Sequence, residues 1–292
     1  MKKILLDTDI GPFLDDFAAI LYALKSKEIE LRAITSVYGN PELGAKLAKK
    51  LVDYSGEKID VYIGETNPLE GEAYRTRVVT RGILSDDEIK CNAEEMGIKR
   101  NAVDFLVREI IDNKGKYDLI TIGALTNIAL ALRKNPEIAG NINHHYIMGG
   151  SIRYNPDFPE YNITCDPEAA EIVFNSKTAK TLVPLDATMQ AKIRQEDFSK
   201  LAKLGKLERA VLSAADFCFR SEQEIDTAMH DPLTLVIATN PEIAETEEMS
   251  LEVNFEGFTF PSTRSREESP ISVCTGFNYN AFKDIFLRTI LG

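Results

Sequence analysis

Four carboxylates fall close together near the start of the chain. They are Asp7, Asp9, Asp15 and Asp16, in the run Ile4-Leu5-Leu6-Asp7-Thr8-Asp9-Ile10-Gly11-Pro12-Phe13-Leu14-Asp15-Asp16-Phe17. An apolar run precedes them and a longer one, Phe17–Leu24, follows. The pattern puts them at the C-terminal end of a buried strand and the first turn of an apolar helix. Like charges packed there repel, and desolvating each costs several kcal/mol unless a cation intervenes. A helix dipole favours Asp15 and Asp16 by only ~0.3–1 kcal/mol, too little to offset the cluster. Oxygen-only ligands point to Ca²⁺ or Mg²⁺ rather than zinc. The competing reading is an N-cap at Asp15 with the other aspartates in water.

Further polar groups end later apolar segments. Asn40 closes Val37-Tyr38-Gly39-Asn40 and is either a turn residue or a paired donor and acceptor for a ligand. In Ile122-Gly123-Ala124-Leu125-Thr126-Asn127, Thr126 or Asn127 is a helix cap, or a backbone carbonyl there faces a metal. Met148-Gly149-Gly150 leads through a Pro/Asp/Asn loop to Glu160-Tyr161-Asn162. In extended backbone Glu160 and Asn162 share a face and could grip adjacent hydroxyls. Asp166 before Pro167 reads as a structural helix cap. In His230-Asp231-Pro232-Leu233, Asp231 is an N-cap or a ligand. His230 alone among the three histidines adjoins such an aspartate and could act as a general acid; His144 and His145 read as a polar lead-in to a strand.

The elements that must position these groups alternate. Strand-like runs at Lys3–Leu6, Leu31–Val37, Tyr117–Ile122, Tyr146–Met148 and Thr181–Leu185 are separated by helical runs at Phe17–Leu24, Leu43–Val52, Leu125–Leu132 and Pro167–Phe174. Leu251–Phe255 is a further strand candidate. This alternation predicts right-handed β-α-β units: an α/β fold with an open, mostly parallel sheet flanked by helices. Glu65–Lys99 reads as a polar, irregular insertion. No repeat or linker divides the 292 residues, so one domain is expected.

Lys plus Arg total 34 against 46 Asp plus Glu, a formal charge of −12, which disfavours a nucleic-acid or anionic membrane surface. No apolar run reaches the ~18–20 residues of a membrane helix. The first strand begins at Lys2, leaving no room for a signal peptide, and four scattered cysteines suit a reducing cytoplasm.

Taken together and in order, Asp-Thr-Asp-x-Gly…Asp-Asp, Tyr-Gly-Asn, Gly-x-Leu-Thr-Asn-Ile-Ala, Met-Gly-Gly…Glu-Tyr-Asn-Ile…Asp-Pro-Glu-Ala-Ala and His-Asp-Pro-Leu resemble the inosine-uridine-preferring nucleoside hydrolase family, from residue 3 to about 240. The resemblance implies Ca²⁺-dependent hydrolysis of the N-glycosidic bond of ribonucleosides in a cytoplasmic homodimer or homotetramer. It implies that Asp9, Asp16, the Thr126 carbonyl and Asp231 bind Ca²⁺, and that Asp9 takes the proton of the metal-bound water. Asp15, Asn40, Asn155, Glu160 and Asn162 would hold the ribose, Met148 would line the sugar pocket, and His230 would sit beside the leaving base. That agrees with the residue chemistry, since an oxocarbenium-like transition state needs nearby negative charge, a positioned water and a stabilised leaving group. With no phosphate-binding Gly-rich loop or Arg clamp, neutral nucleosides are the expected substrates.

The chain departs from the family in places. Ile10 to Leu14 put five residues, not the usual three, between Asp9 and the Asp pair. The usual His-Gly segment is replaced by Gly71-Glu72-Ala73-Tyr74-Arg75. There is no Trp, which leaves Phe219 or Tyr74 to stack on a base. Two other readings compete: a non-catalytic nucleoside- or ribose-binding protein on the same fold, and a phosphatase of the haloacid-dehalogenase type with Asp7 as nucleophile.

Overall fold

The computed structural model describes residues 1–11, 13–73, 80, 82–154, 159–222, 225–261 and 271–292. Its strands are β1 (Lys2–Thr8), β2 (Ile29–Ser36), β3 (Asp60–Ile63), β4 (Asp118–Thr121), β5 (His144–Met148), β6 (Lys180–Val183), β7 (Lys192–Arg194), β8 (Asp226–Ala228), β9 (Ala244–Met249), β10 (Leu251–Val253), β11 (Thr259–Pro261) and β12 (Ile271–Phe277). The helices are α1 (Asp15–Lys25), α2 (Pro41–Ser55), α3 (Asp86–Lys90), α4 (Ala102–Asp112), α5 (Thr126–Lys134), α6 (Tyr161–Cys165), α7 (Pro167–Phe174), α8 (Leu185–Thr188), α9 (Gln195–Ser199), α10 (Lys206–Glu222), α11 (His230–Thr239) and α12 (Tyr279–Leu291).

Eight strands form one sheet in the order β3-β2-β1-β4-β5-β6-β12-β9. All neighbours are parallel except β12 and β9. The expected mostly parallel α/β architecture is therefore present. Strand β1 is buried on both faces, as a central parallel strand must be. Ile4 and Leu6 join the core beneath α1, α2, α10, α11 and α12, while Leu5 joins the opposite core with α4, α5 and α7. Helix α1 packs against α2, α10, α11 and α12, so its run from Phe17 to Ala23 is buried throughout.

Several local expectations are corrected. His144 and His145 are not a lead-in but lie within β5, and buried His145 pairs through Nε2 with the Thr121 hydroxyl at 3.0 Å. Leu251–Val253 is a strand, yet it pairs with β11 in a separate hairpin-like sheet. Within Glu65–Lys99, Ile83, Leu84, Ala93 and Ile98 enter the core, and buried Lys46 donates to the Ile89 and Cys91 carbonyls.

Asn127 clasps three strand ends. Its Nδ2 donates to Asp7 Oδ2 at 2.7 Å and to the Ser36 carbonyl at 3.0 Å, and its Oδ1 accepts from Glu65 N at 3.0 Å. A Cβ on Gly64 would lie 2.4 Å from that amide, so only glycine fits there. Replacing Asn127 by Ala strands buried groups on β1, β2 and the turn after β3, each costing ~1–3 kcal/mol. Asn127→Ala is expected to lower unfolding free energy by about 3 kcal/mol in chemical denaturation. A loss below about 1 kcal/mol would contradict the clasp.

Candidate active site

Strand β1 lies between β2 and β4, so the connections leaving β1 and β4 run to opposite sides of the sheet. Open α/β sheets bind ligands in the crevice such a reversal leaves at the C-terminal strand ends. Here a cavity of about 320 Å³ opens. Asp9, Asp15 and Asp16 line it from the β1 side, Ile122 and Met148 from the ends of β4 and β5, Glu160, Tyr161 and Asn162 from the start of α6, and His230 and Asp231 from the start of α11.

Asp15, Asp16 and Asp231 each present a carboxylate oxygen within 4.8 Å of the others. They come from opposite ends of the sequence and meet because α1 packs on α11. The Thr8 hydroxyl donates to Asp16 and accepts from Ile10 N at 3.1 Å, tying the end of β1 to the first turn of α1. Gly123 lets the β4 turn close on Asp9: a Cβ there would lie 2.8 Å from the Asp9 amide nitrogen.

Electrostatics mark the site. Burial, followed by the charge of Asp15, pushes the Asp9 carboxyl up to about 8. Burial, then the charges of Asp15, Asp16, Asp9 and Glu160, hold Asp231 well above the carboxylate range. Asp15 and Glu160 are raised by burial too, although the His230 ring opposes this at Asp15 and three backbone amides oppose it at Glu160. All-oxygen donors this close and this buried fit a hard divalent cation, which relieves both the repulsion and the desolvation. Burial pushes the His230 imidazole below its ordinary value, against the charge of Asp15.

Glu160 and Asn162 reach the cavity by a different route from the extended pair expected. Glu160 is the N-cap of α6: its carboxylate accepts from Asn162 N at 2.8 Å and from Ile163 N and Gly150 N at 3.0 Å. Orphan amides at a helix start attract a carboxylate, and that overrides alternation. The Asn162 amide donates to the Met148 carbonyl at 3.3 Å. Asp231 does not cap α11, which starts at His230 with no side-chain cap. Asp166 does cap α7, and it also accepts from the Thr126 hydroxyl at 2.6 Å.

Asn40 and Thr126 are not among the residues that line the cavity. Asn40 is exposed and caps α2, its side chain accepting from Leu43 N at 3.1 Å. Asn155 and Tyr74 lie outside the described residues. Phe219 is not a stacking residue of the cavity; it is buried against Phe198 in the core, and its neighbour Cys218 lines the cavity instead. Among the described residues, Phe13 and Tyr161 bring aromatic side chains to the cavity, edge to face at 5.4 Å. Leu185, Met189, Thr227 and Ala228, with Thr188 behind them, escaped notice because nothing polar clusters there. Their place just after β6 and around β8 was the available signal.

The chain matches the profile of the inosine-uridine preferring nucleoside hydrolase family over residues 4–284. It belongs to that family. It is 31% identical over 277 residues to the inosine-uridine preferring nucleoside hydrolase of Leishmania major, covering 88% of this chain and 84% of the relative. It is 30% identical over 269 residues to the pyrimidine-specific ribonucleoside hydrolase RihA of Escherichia coli, covering 87% and 85%. The solved purine-preferring ribonucleoside hydrolase from Gardnerella vaginalis superposes with a TM-score of 0.86 at 28% identity, over 100% of this chain and 98% of that one. The protein is thus a nucleoside hydrolase, a hydrolase acting on N-glycosyl compounds. The phosphatase reading falls for a second reason: Asp7 is wholly buried, with one oxygen engaged by Asn127 and Thr35 and the other enclosed with no hydrogen-bond partner among the described residues, so it cannot attack phosphorus.

Binding to the native cluster alone raises stability by RT ln(1 + [L]/Kd), about 2.7 kcal/mol at a hundredfold excess over Kd. Chelator-treated protein should therefore gain thermal stability when Ca²⁺ is added, and Asp231→Asn should lose most of that gain. An identical melting temperature with and without cation would rule out the cluster as a binding site.

Proposed function

We propose that the chain cleaves ribonucleosides with the help of one Ca²⁺ ion, and that Asp9 is the base that activates water. The observation that carries this reading is the meeting of Asp15, Asp16 and Asp231 within 4.8 Å in the cavity that Asp9 and His230 also line. Asp16 and Asp231 would hold the ion, with Asp9 and the Thr126 carbonyl as the further donors the family resemblance suggests. Calcium suits the set better than magnesium because it accepts six to eight oxygens in irregular geometry, leaving room for sugar hydroxyls. When bound, the ion makes a water easier to deprotonate and cancels part of the carboxylate charge.

The chain's own residues do the rest. Asp9 lines the cavity beside the acidic cluster, where its carboxylate is placed to take a proton from water. Asp15, Glu160 and Asn162 present acceptors and an amide to the ribose hydroxyls, and Met148 packs beside them. As the C1′–N bond lengthens, positive charge grows on the sugar, and the acidic lining stabilises it in place. His230, which also lines the cavity, would face the departing base. Water adds to C1′ and the bond's electron pair leaves with the base. The proton Asp9 removes balances the one the base gains, so no co-reactant is required.

Asp9→Ala should cut kcat for release of free ribose by at least about 100-fold, the usual range for a lost general base, with an unchanged circular dichroism spectrum. Turnover within threefold of the parent would refute the assignment of Asp9.

A further inference from the structure

Thr188 ends α8, the short turn that follows β6, and its side chain is completely buried. Its hydroxyl oxygen lies 2.7 Å from His230 Nδ1, its one hydrogen-bond partner among the described residues. A hydroxyl carries a single proton, and this one meets no other acceptor and no solvent. The proton therefore points at Nδ1. A neutral imidazole that accepts at Nδ1 carries its own hydrogen on Nε2. Nδ1 is occupied, while Nε2 has no protein partner among the described residues and the ring lines the cavity. The turn that bears Thr188 packs on α11 and on β6 and β12, so the hydroxyl is anchored to the sheet rather than to a loop.

We propose that Thr188 is a positioning residue for base departure: it fixes the rotation and tautomer of His230 so that Nε2–H faces the leaving base. This rests on the reading of His230 as the residue beside that base. Electron density from the breaking C1′–N bond collects on the base, and a donor held at Nε2 stabilises it as it forms. A ring free to rotate or to carry its hydrogen on Nδ1 would offer the base a lone pair instead, which repels it.

The test separates leaving-group help from every other effect. Thr188→Val keeps the shape and removes the hydroxyl; Thr188→Ser keeps the hydroxyl; His230→Ala sets the full size of the effect. Each is assayed on inosine and uridine, whose bases leave poorly, and on p-nitrophenyl β-D-ribofuranoside, whose phenolate leaves unaided. Thr188→Val is expected to lower kcat on the nucleosides 10- to 100-fold, with KM and the nitrophenyl rate changed less than threefold. Thr188→Ser should recover at least a third of the nucleoside rate. With only three histidines, ¹⁵N spectra resolve each ring. His230 should show a bare Nδ1 in the parent and lose that signature in Thr188→Val. Equal loss on both substrate types would mean a structural role and overturn the proposal. Nucleoside turnover kept in Thr188→Val but lost in His230→Ala would overturn Thr188 and leave His230 standing. Turnover kept in His230→Ala would overturn both.

Discussion

Mutual repulsion among buried carboxylates is the constraint around which this molecule is built. Two unit charges about 5 Å apart repel by roughly 3 kcal/mol at an effective dielectric of about 20. Asp15, Asp16 and Asp231 stand within that range, and Asp9 and Glu160 act on them from nearby. Net stability of a domain is only ~5–15 kcal/mol, so such a buried cluster survives only if protons or a cation neutralise it. The raised carboxyls describe the first solution and the all-oxygen donor set describes the second. A site that holds protons when empty must release them when a cation enters.

The scaffold keeps these groups from moving apart. Backbone amides at strand ends and helix starts are oriented donors, and the chain uses them to fix side chains that would otherwise repel and swing away. Glu160 is held by three amides, Asp166 by the starts of α7 and of the turn at Leu69, and Asp16 by the Thr8 hydroxyl. Asp166 reaches further, because its second oxygen also accepts from Thr126. The cap of one helix thus steadies the first residue of another, α5, whose Asn127 clasps the ends of β1 and β2.

Much of this was legible in residue order. The β-α alternation, the acidic run after β1 and His-Asp-Pro-Leu before an apolar helix named the fold and, in the cavity lining, Asp9, Asp15, Asp16, His230 and Asp231. Other parts were hidden for physical reasons. Strand β9 reads Ala-Glu-Thr-Glu-Glu-Met; charges protect a sheet edge from further pairing, and they also erase the apolar pattern that reveals a strand. Glu160 and Asn162 looked extended because spacing alone cannot say whether free helix amides stand nearby. The Asn40 side chain caps α2 and the Thr126 hydroxyl donates to Asp166, which residue order alone did not show; the role expected of Thr126 concerned its carbonyl and is not touched by that bond. Thr188 was invisible because its partner is brought to it only by packing of α8 on α11.

The cavity wall is of two chemical kinds. Five carboxylates and the Asn162 amide line it, and so do the apolar side chains of Leu185, Met189, Cys218 and Ala228, with Thr227 and His230 as further polar points. Groups that must hold charge in fixed places tolerate little change. An apolar wall discriminates weakly, at about 1–3 kcal/mol for a methylene-sized difference. Relatives with inosine-uridine, pyrimidine and purine preferences can therefore share one architecture. Sharper discrimination has to come from hydrogen bonds, because a buried polar group left unpaired by the wrong ligand costs far more than a small misfit against an apolar wall.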